Sequence, residues 1–148
     1  MISLDTNVLV YISDDDEPEK QTIAREVLIA LTRVSACVGL QVIGELQNVL
    51  RRKLKHPSWL AAQTARNVLV AFDSFPATEA NVQEALALMS SGRLGYWDAL
   101  LLASARDAGV TVLLSEDMAD GFRLGTIEVV NPFSSTGLSD HAREALKS

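Results

Sequence analysis

Short apolar, β-branched runs alternate along this chain with longer stretches of helical periodicity, and that alternation constrains the fold more than any other feature. Residues 1–4 open as a strand, and Val34–Leu40, Val110–Leu114 and Thr126–Val130 read as further strands, the last stopping at Asn131–Pro132. Between them apolar residues recur every three or four positions. Ile23, Val27, Leu28 and Leu31 mark a helix over Glu19–Arg33, with Pro18 tolerated in its first turn. Val42, Ile43, Leu46, Val49 and Leu50 mark another over Gln41–Lys55, ended by Pro57. Trp59–Phe72 and Thr78–Met89 follow, the latter with Thr78 as N-cap; Trp97–Asp107 reads as a buried helix closed by Gly109. Parallel strands need crossover connections, usually helical, so this order implies an α/β fold: a central parallel sheet with helices on both faces. No repeat or linker divides it. Residues 1–133 are expected to form one domain, and 134–148 a polar, loose tail with a short helix near Ala142–Leu146.

Charge narrows the function. A net charge of −6 and a pI near 4.8 argue against binding nucleic acid by bulk electrostatics, and suit a protein that collects cations. The two ideas reconcile where acids hold metal ions that meet a phosphate. The single cysteine, Cys37, cannot form an internal disulfide, which fits a reducing compartment. With His56 and His141 it cannot build a zinc site either. No basic stretch leads into a long apolar run, so neither a signal peptide nor a membrane span is expected, and the expected location is cytoplasmic. Nucleotide-binding glycine loops are missing too.

Four acids fall where such a sheet would bind a ligand, outside the carboxyl ends of its strands. Asp5 follows the first strand and Asp117 follows Val110–Leu114. Glu45 lies in an early turn of the helix from Gln41, and Asp98 opens the helix from Trp97. Each has a plain structural reading as well: Asp5 as a helix cap, Glu45 as a solvated helix position, Asp98 as a carboxylate favoured at a helix N-terminus, Asp117 as a turn residue. Their convergence suits Mg²⁺ or Mn²⁺, hard cations that take oxygen ligands and activate water against a phosphodiester.

The segments carrying these acids resemble the PIN-domain family, most closely the VapC-type toxins of bacterial toxin–antitoxin modules. Leu4-Asp5-Thr6-Asn7-Val8-Leu9-Val10-Tyr11 is similar to the family's first motif, and Gln41-Val42-Ile43-Gly44-Glu45-Leu46 to the second. Tyr96-Trp97-Asp98-Ala99-Leu100-Leu101-Leu102-Ala103 is similar to the third, and Leu114-Ser115-Glu116-Asp117 to the fourth and most variable. The resemblance covers Ile2 to about Phe133. It implies a three-layer α/β/α sandwich, endoribonuclease activity with Mg²⁺ or Mn²⁺, and Asp5, Glu45, Asp98 and Asp117 as metal ligands. It further implies Thr6 or Asn7, and Ser115, as hydrogen-bonding partners of those carboxylates. In the fourth motif Glu116 or Asp120 stands near enough to replace Asp117. The implied partners are an RNA substrate and a small antitoxin, expected to lie in a hydrophobic groove with an Arg or Lys reaching the acidic site. The helices Glu19–Arg33 and Trp59–Phe72 carry more apolar face than one side of a sheet covers, so a homodimer is expected as well.

Arg51 and Arg52, in the basic run that continues with Lys53 and Lys55, and Arg93 are candidate RNA contacts; the run also reads as charge suited to a helix C-terminus. Asp14 to Glu17 read as a solvated loop and helix start, and Trp59 and Trp97 as helix-packing side chains, with base stacking the second reading. Two other functions compete. An aspartyl-phosphate phosphatase would want a second acid where Asn7 stands. An RNA-processing nuclease or an RNA-binding domain outside a toxin–antitoxin pair would share the same fold.

Overall fold

The computed structural model describes residues 1–147. Its elements run β1 (Ile2–Leu4), α1 (Thr6–Tyr11), α2 (Pro18–Leu31), β2 (Ala36–Gly39), α3 (Leu40–Arg52), α4 (Ser58–Ala71), β3 (Asp73–Phe75), α5 (Glu79–Ser90) and α6 (Tyr96–Asp107). There follow β4 (Val112–Leu114), β5 (Arg123–Leu124), β6 (Ile127–Val130), β7 (Phe133–Ser134), β8 (Gly137–Leu138) and α7 (Asp140–Ala145). The main sheet has the order β3-β2-β1-β4-β6-β5, with only the β5–β6 pair antiparallel. Helices flank it in two groups, α3 packing on α1 and α4, and α5 on α6.

The burial pattern explains why the short runs become strands. Ile2, Ser3 and Leu4 are all buried, because β1 sits mid-sheet between β2 and β4 with both faces covered. α6 is buried along nearly its whole length, from Ala99 to Ala105. α3 shows only a stripe, Val42, Leu46 and Leu50, at four-residue spacing. Thr78 caps α5 in a box with Asn81, whose amide also reaches Asp107 at 2.7 Å. Gly109 adopts φ 87° behind α6, a conformation open to glycine. Gly39 serves another need: a Cβ there would stand 3.2 Å from both Leu101 and Phe75.

Several expectations are corrected. The segment after Ser134, as far as Lys147, is not loose. β7 and β8 form a hairpin, Leu138 and Ala142 are buried in the core, and β8 packs on α2. Its polar sequence hides this, because the apolar residues that hold it, Phe133, Leu138, Ala142 and Leu146, stand apart from one another among polar ones. Trp59 and Trp97 do not pack inward; they are 71% and 63% exposed, since α4 buries Ala61 and Ala65 and α6 begins its buried face at Ala99. Asp14 is buried, not solvated, and its Oδ1 accepts the Asp16 N–H across a turn. Helix α1 and strand β3 add elements that periodicity alone does not mark. Among the described residues, no helix is long and apolar enough to cross a membrane.

Candidate active site

The chain runs from β1 outward to β2 and β3, then crosses back to lay β4 on the other side of β1. The crevice at such a reversal, at the carboxyl ends of the strands, is where open α/β sheets bind ligands. Asp5 leaves β1 there and Ser115 leaves β4 beside it; the Asp5 N–H donates to the Leu114 carbonyl at 2.9 Å. The two strands bring residues 110 positions apart into contact.

A cavity of about 410 Å³ opens at this point, and Asp5, Glu45, Asp98 and Asp117 all line it. Asp5 is the N-cap of α1 and only 6% exposed. Its Oδ1 accepts the Thr6 N–H at 2.7 Å, and its Oδ2 accepts the Ser115 hydroxyl at 2.7 Å and the Asn7 amide at 3.3 Å. Burial raises its pKa from the ordinary 3.8 to about 6; the Ser115 and Thr6 hydrogen bonds oppose that rise, and the charges of Asp117 and Glu45 add to it. Glu45, in the second turn of α3, accepts the Thr6 hydroxyl at 2.7 Å and the Gln41 amide at 2.9 Å. Asp98 stands in the first turn of α6, its pKa raised by burial and then by Asp117 and Glu45. Asp117 accepts the Asn7 amide at 3.0 Å.

Asn7 is therefore the hub. Its amide nitrogen reaches Asp5, Ser115 and Asp117, and its carbonyl accepts the Glu116 N–H at 3.4 Å. Thr6 and Ser115 each tie one acid to a neighbouring element. The alternatives to Asp117 separate on geometry. Asp120 lies outside the cavity, accepting the Asn131 N–H and facing His141. Glu116 lines the cavity, but its carboxylate is taken by Lys20 and Tyr11. Of the basic side chains, Arg51, Arg52 and Arg93 do not line the cavity, whereas Lys53 does. Tyr11, Asn48 and Gln41 also line it; the sequence singles out none of them as a site residue, and it does not pair Lys20 with Glu116.

The donor set fits a hard divalent cation: four carboxylates, with the buried Gln41 Oε1 close by and lacking a hydrogen-bond partner. As the side chains lie, no three acids among the described residues are gathered closely enough to hold one ion between them. Hydrogen bonds from Thr6, Ser115, Asn7 and Gln41 occupy Asp5 and Glu45 instead.

A family model described as the PIN domain matches residues 2–121. No curated protein matches the sequence. Among solved structures, the chain is similar to VapC20 of Mycobacterium tuberculosis, described as a toxin cleaving the sarcin–ricin loop, at TM-score 0.61 and 18% identity, over 76% of this chain and 87% of that one. It is similar to a toxin–antitoxin complex from Klebsiella pneumoniae at TM-score 0.63 and 20% identity, over 90% and 98%. It is also similar to VapBC2 of Rickettsia felis, bound to a DNA fragment from the promoter, at TM-score 0.61 and 17% identity, over 87% and 97%. At these identities the solved structures establish the likeness of fold.

Proposed function

Since the chain belongs to the PIN-domain family, we propose that it is a metal-dependent endoribonuclease, the toxin of a type II toxin–antitoxin pair, acting through Asp5, Glu45, Asp98 and Asp117. The observation that carries this reading is the arrival of four carboxylates, from four separated segments, in one cavity at the reversal of the sheet. Such a set has little reason to exist in an apo fold, where it costs stability. Mg²⁺ or Mn²⁺ held by these acids would supply an activated water and charge stabilisation at the cleaved phosphate.

The protein's own residues do the rest. Asn7, Thr6 and Ser115 fix the rotamers of Asp5, Glu45 and Asp117, as supporting hydrogen bonds do around metal ligands. Lys53 is the one basic side chain among the cavity-lining residues, placed to meet the backbone of an RNA strand entering an otherwise acidic cleft. A cavity of about 340 Å³, mostly apolar and lined by Leu9, Ile12, Leu28, Leu46, Val68 and Phe72 together with Ser13, Thr64 and Asn67, suits the apolar face of a small antitoxin segment. Exposed Ile29, Trp59, Leu69 and Val70 add unpartnered apolar surface, consistent with a homodimer.

Labelled single-stranded RNA, Mn²⁺ and the purified chain, with and without chelator, test the reading. Internal cuts that vanish in chelator are expected. Intact RNA at every Mn²⁺ and Mg²⁺ concentration would overturn it, and a monomer in light scattering at high concentration would remove the dimer.

A further inference from the structure

Three side chains outside the four acids meet at the rim of the cavity. Lys20, in the first turn of α2, donates to Glu116 Oε2 at 2.9 Å and to the Tyr11 hydroxyl at 3.1 Å. The Tyr11 hydroxyl donates to Glu116 Oε1, so both oxygens of that carboxylate are engaged. The Tyr11 ring meets Phe133 edge-on at 5.1 Å between centroids, and Lys20 Nζ lies 4.9 Å from the Tyr11 centroid and 5.9 Å from that of Phe133. The Glu116 side chain is 17% exposed. A charge so enclosed depends on its partner far more than a surface ion pair does.

Glu116 precedes Asp117 in one short loop, and both line the cavity. The loop is pinned at two points by backbone donors, the Glu116 N–H to Asn7 Oδ1 and the Asp117 N–H to Ser115 Oγ at 3.2 Å. Lys20 is the only cation paired with Glu116 among the described residues. Were Lys20 uncharged, Glu116 would keep only the Tyr11 hydroxyl, and the cavity would gain a fifth carboxylate without a cationic partner next to Asp117, repelling the other four and competing for any cation.

We propose that Lys20 is a positioning residue for the acidic site: it fastens Glu116 to Tyr11, so that the loop after β4 offers Asp117, and not Glu116, to a cation held with Asp5, Glu45 and Asp98. This rests on the metal-site reading above. It adds that residues 20 and 116, which touch no reacting atom, decide which acid of the loop serves.

Lys20→Met, Lys20→Arg and the double variant Lys20→Met/Glu116→Gln separate this from a general structural role. Amide hydrogen exchange in chelator is the first readout. Lys20→Met should speed exchange at Glu116 and Asp117 by about tenfold or more, while the amides of β4 and α1 keep wild-type rates; Lys20→Arg should stay wild-type throughout. Mn²⁺ titration calorimetry is the second. Lys20→Met should bind Mn²⁺ roughly tenfold more tightly, through the freed carboxylate, and the double variant should return to the wild-type value. Unchanged exchange at Glu116 and Asp117 overturns the proposal, as does faster exchange in β4 and α1 alike. Equal Mn²⁺ affinity in the single and double variants overturns it too, because the Glu116 carboxylate would then take no part in the change. The exchange arm uses neither RNA nor metal. A wild-type chain that cuts no RNA or binds no Mn²⁺ defeats the nuclease reading and leaves the fastening of the loop decided separately.

Discussion

Replacing Asp5 with Asn should stabilise the metal-free protein at neutral pH while removing its activity. The Asp5 carboxyl is raised from 3.8 to about 6 in the folded state, chiefly by burial. A group raised in this way favours the fold fully below its unfolded pKa, and that contribution is lost as pH rises through the folded value. The rise corresponds to about 3 kcal/mol of destabilisation at neutral pH, of which about 2 kcal/mol accrues between pH 4.5 and 7.5. Asn keeps the capping oxygen toward the Thr6 N–H, but its amide would face the Ser115 hydroxyl and the Asn7 amide, donor against donor. That conflict costs about 1 kcal/mol at either pH. Chemical denaturation in chelator, wild type against Asp5→Asn, isolates the charge by taking the difference at pH 7.5 minus the difference at pH 4.5. The expected value is about 2 kcal/mol in favour of Asn, equivalent to a relative Tm gain of roughly 4–8 °C at this chain length. A pH-independent difference would refute the argument that burial penalises this carboxylate, whatever the sign of the difference itself.

Asp98→Asn should lower RNA cleavage by at least about a hundredfold and raise the apo melting temperature in chelator, because its carboxyl is likewise pushed up by burial and by Asp117 and Glu45; unchanged cleavage would return Asp98 to a helix-terminal role. Gly39→Ala should lower stability by about 1–3 kcal/mol in a urea melt, since the added methyl would crowd Leu101 and Phe75 at 3.2 Å. Leu28→Asp, in the apolar groove, should leave a chain that still cuts RNA but is no longer protected by a co-expressed antitoxin, measured as loss of growth rescue.

The four acids are legible in sequence because each stands at a boundary that periodicity also marks: Asp5 and Asp117 after apolar strands, Glu45 and Asp98 in the opening turns of helices. Strand β3 is not legible. It is three residues long at the sheet edge, and Asp73 and Ser74 are exposed, so neither alternation nor an apolar run announces it. The Lys20–Glu116 pair escapes for another reason: its partners are 96 residues apart, and a lysine in a first helical turn reads locally as solvated. The C-terminal hairpin escapes because Phe133 and Leu138 are single anchors in a polar stretch. Sequence periodicity reports which face of an element is buried; it does not report which distant side chain arrives there.

The central position of β1 bears on synthesis as well as on architecture. A growing chain makes Asp5 long before Ser115, whose hydroxyl holds it, and β1's neighbour β4 does not begin until Val112. An emerging chain that has reached only α5 carries Asp5 and Glu45 but neither Asp98 nor Asp117, and its first strand is paired on one side alone. Parallel pairings of such long sequence separation form late and slowly. On the proposed function, cleavage becomes available only after the loop carrying Asp117 has emerged and the sheet has closed on both sides of β1.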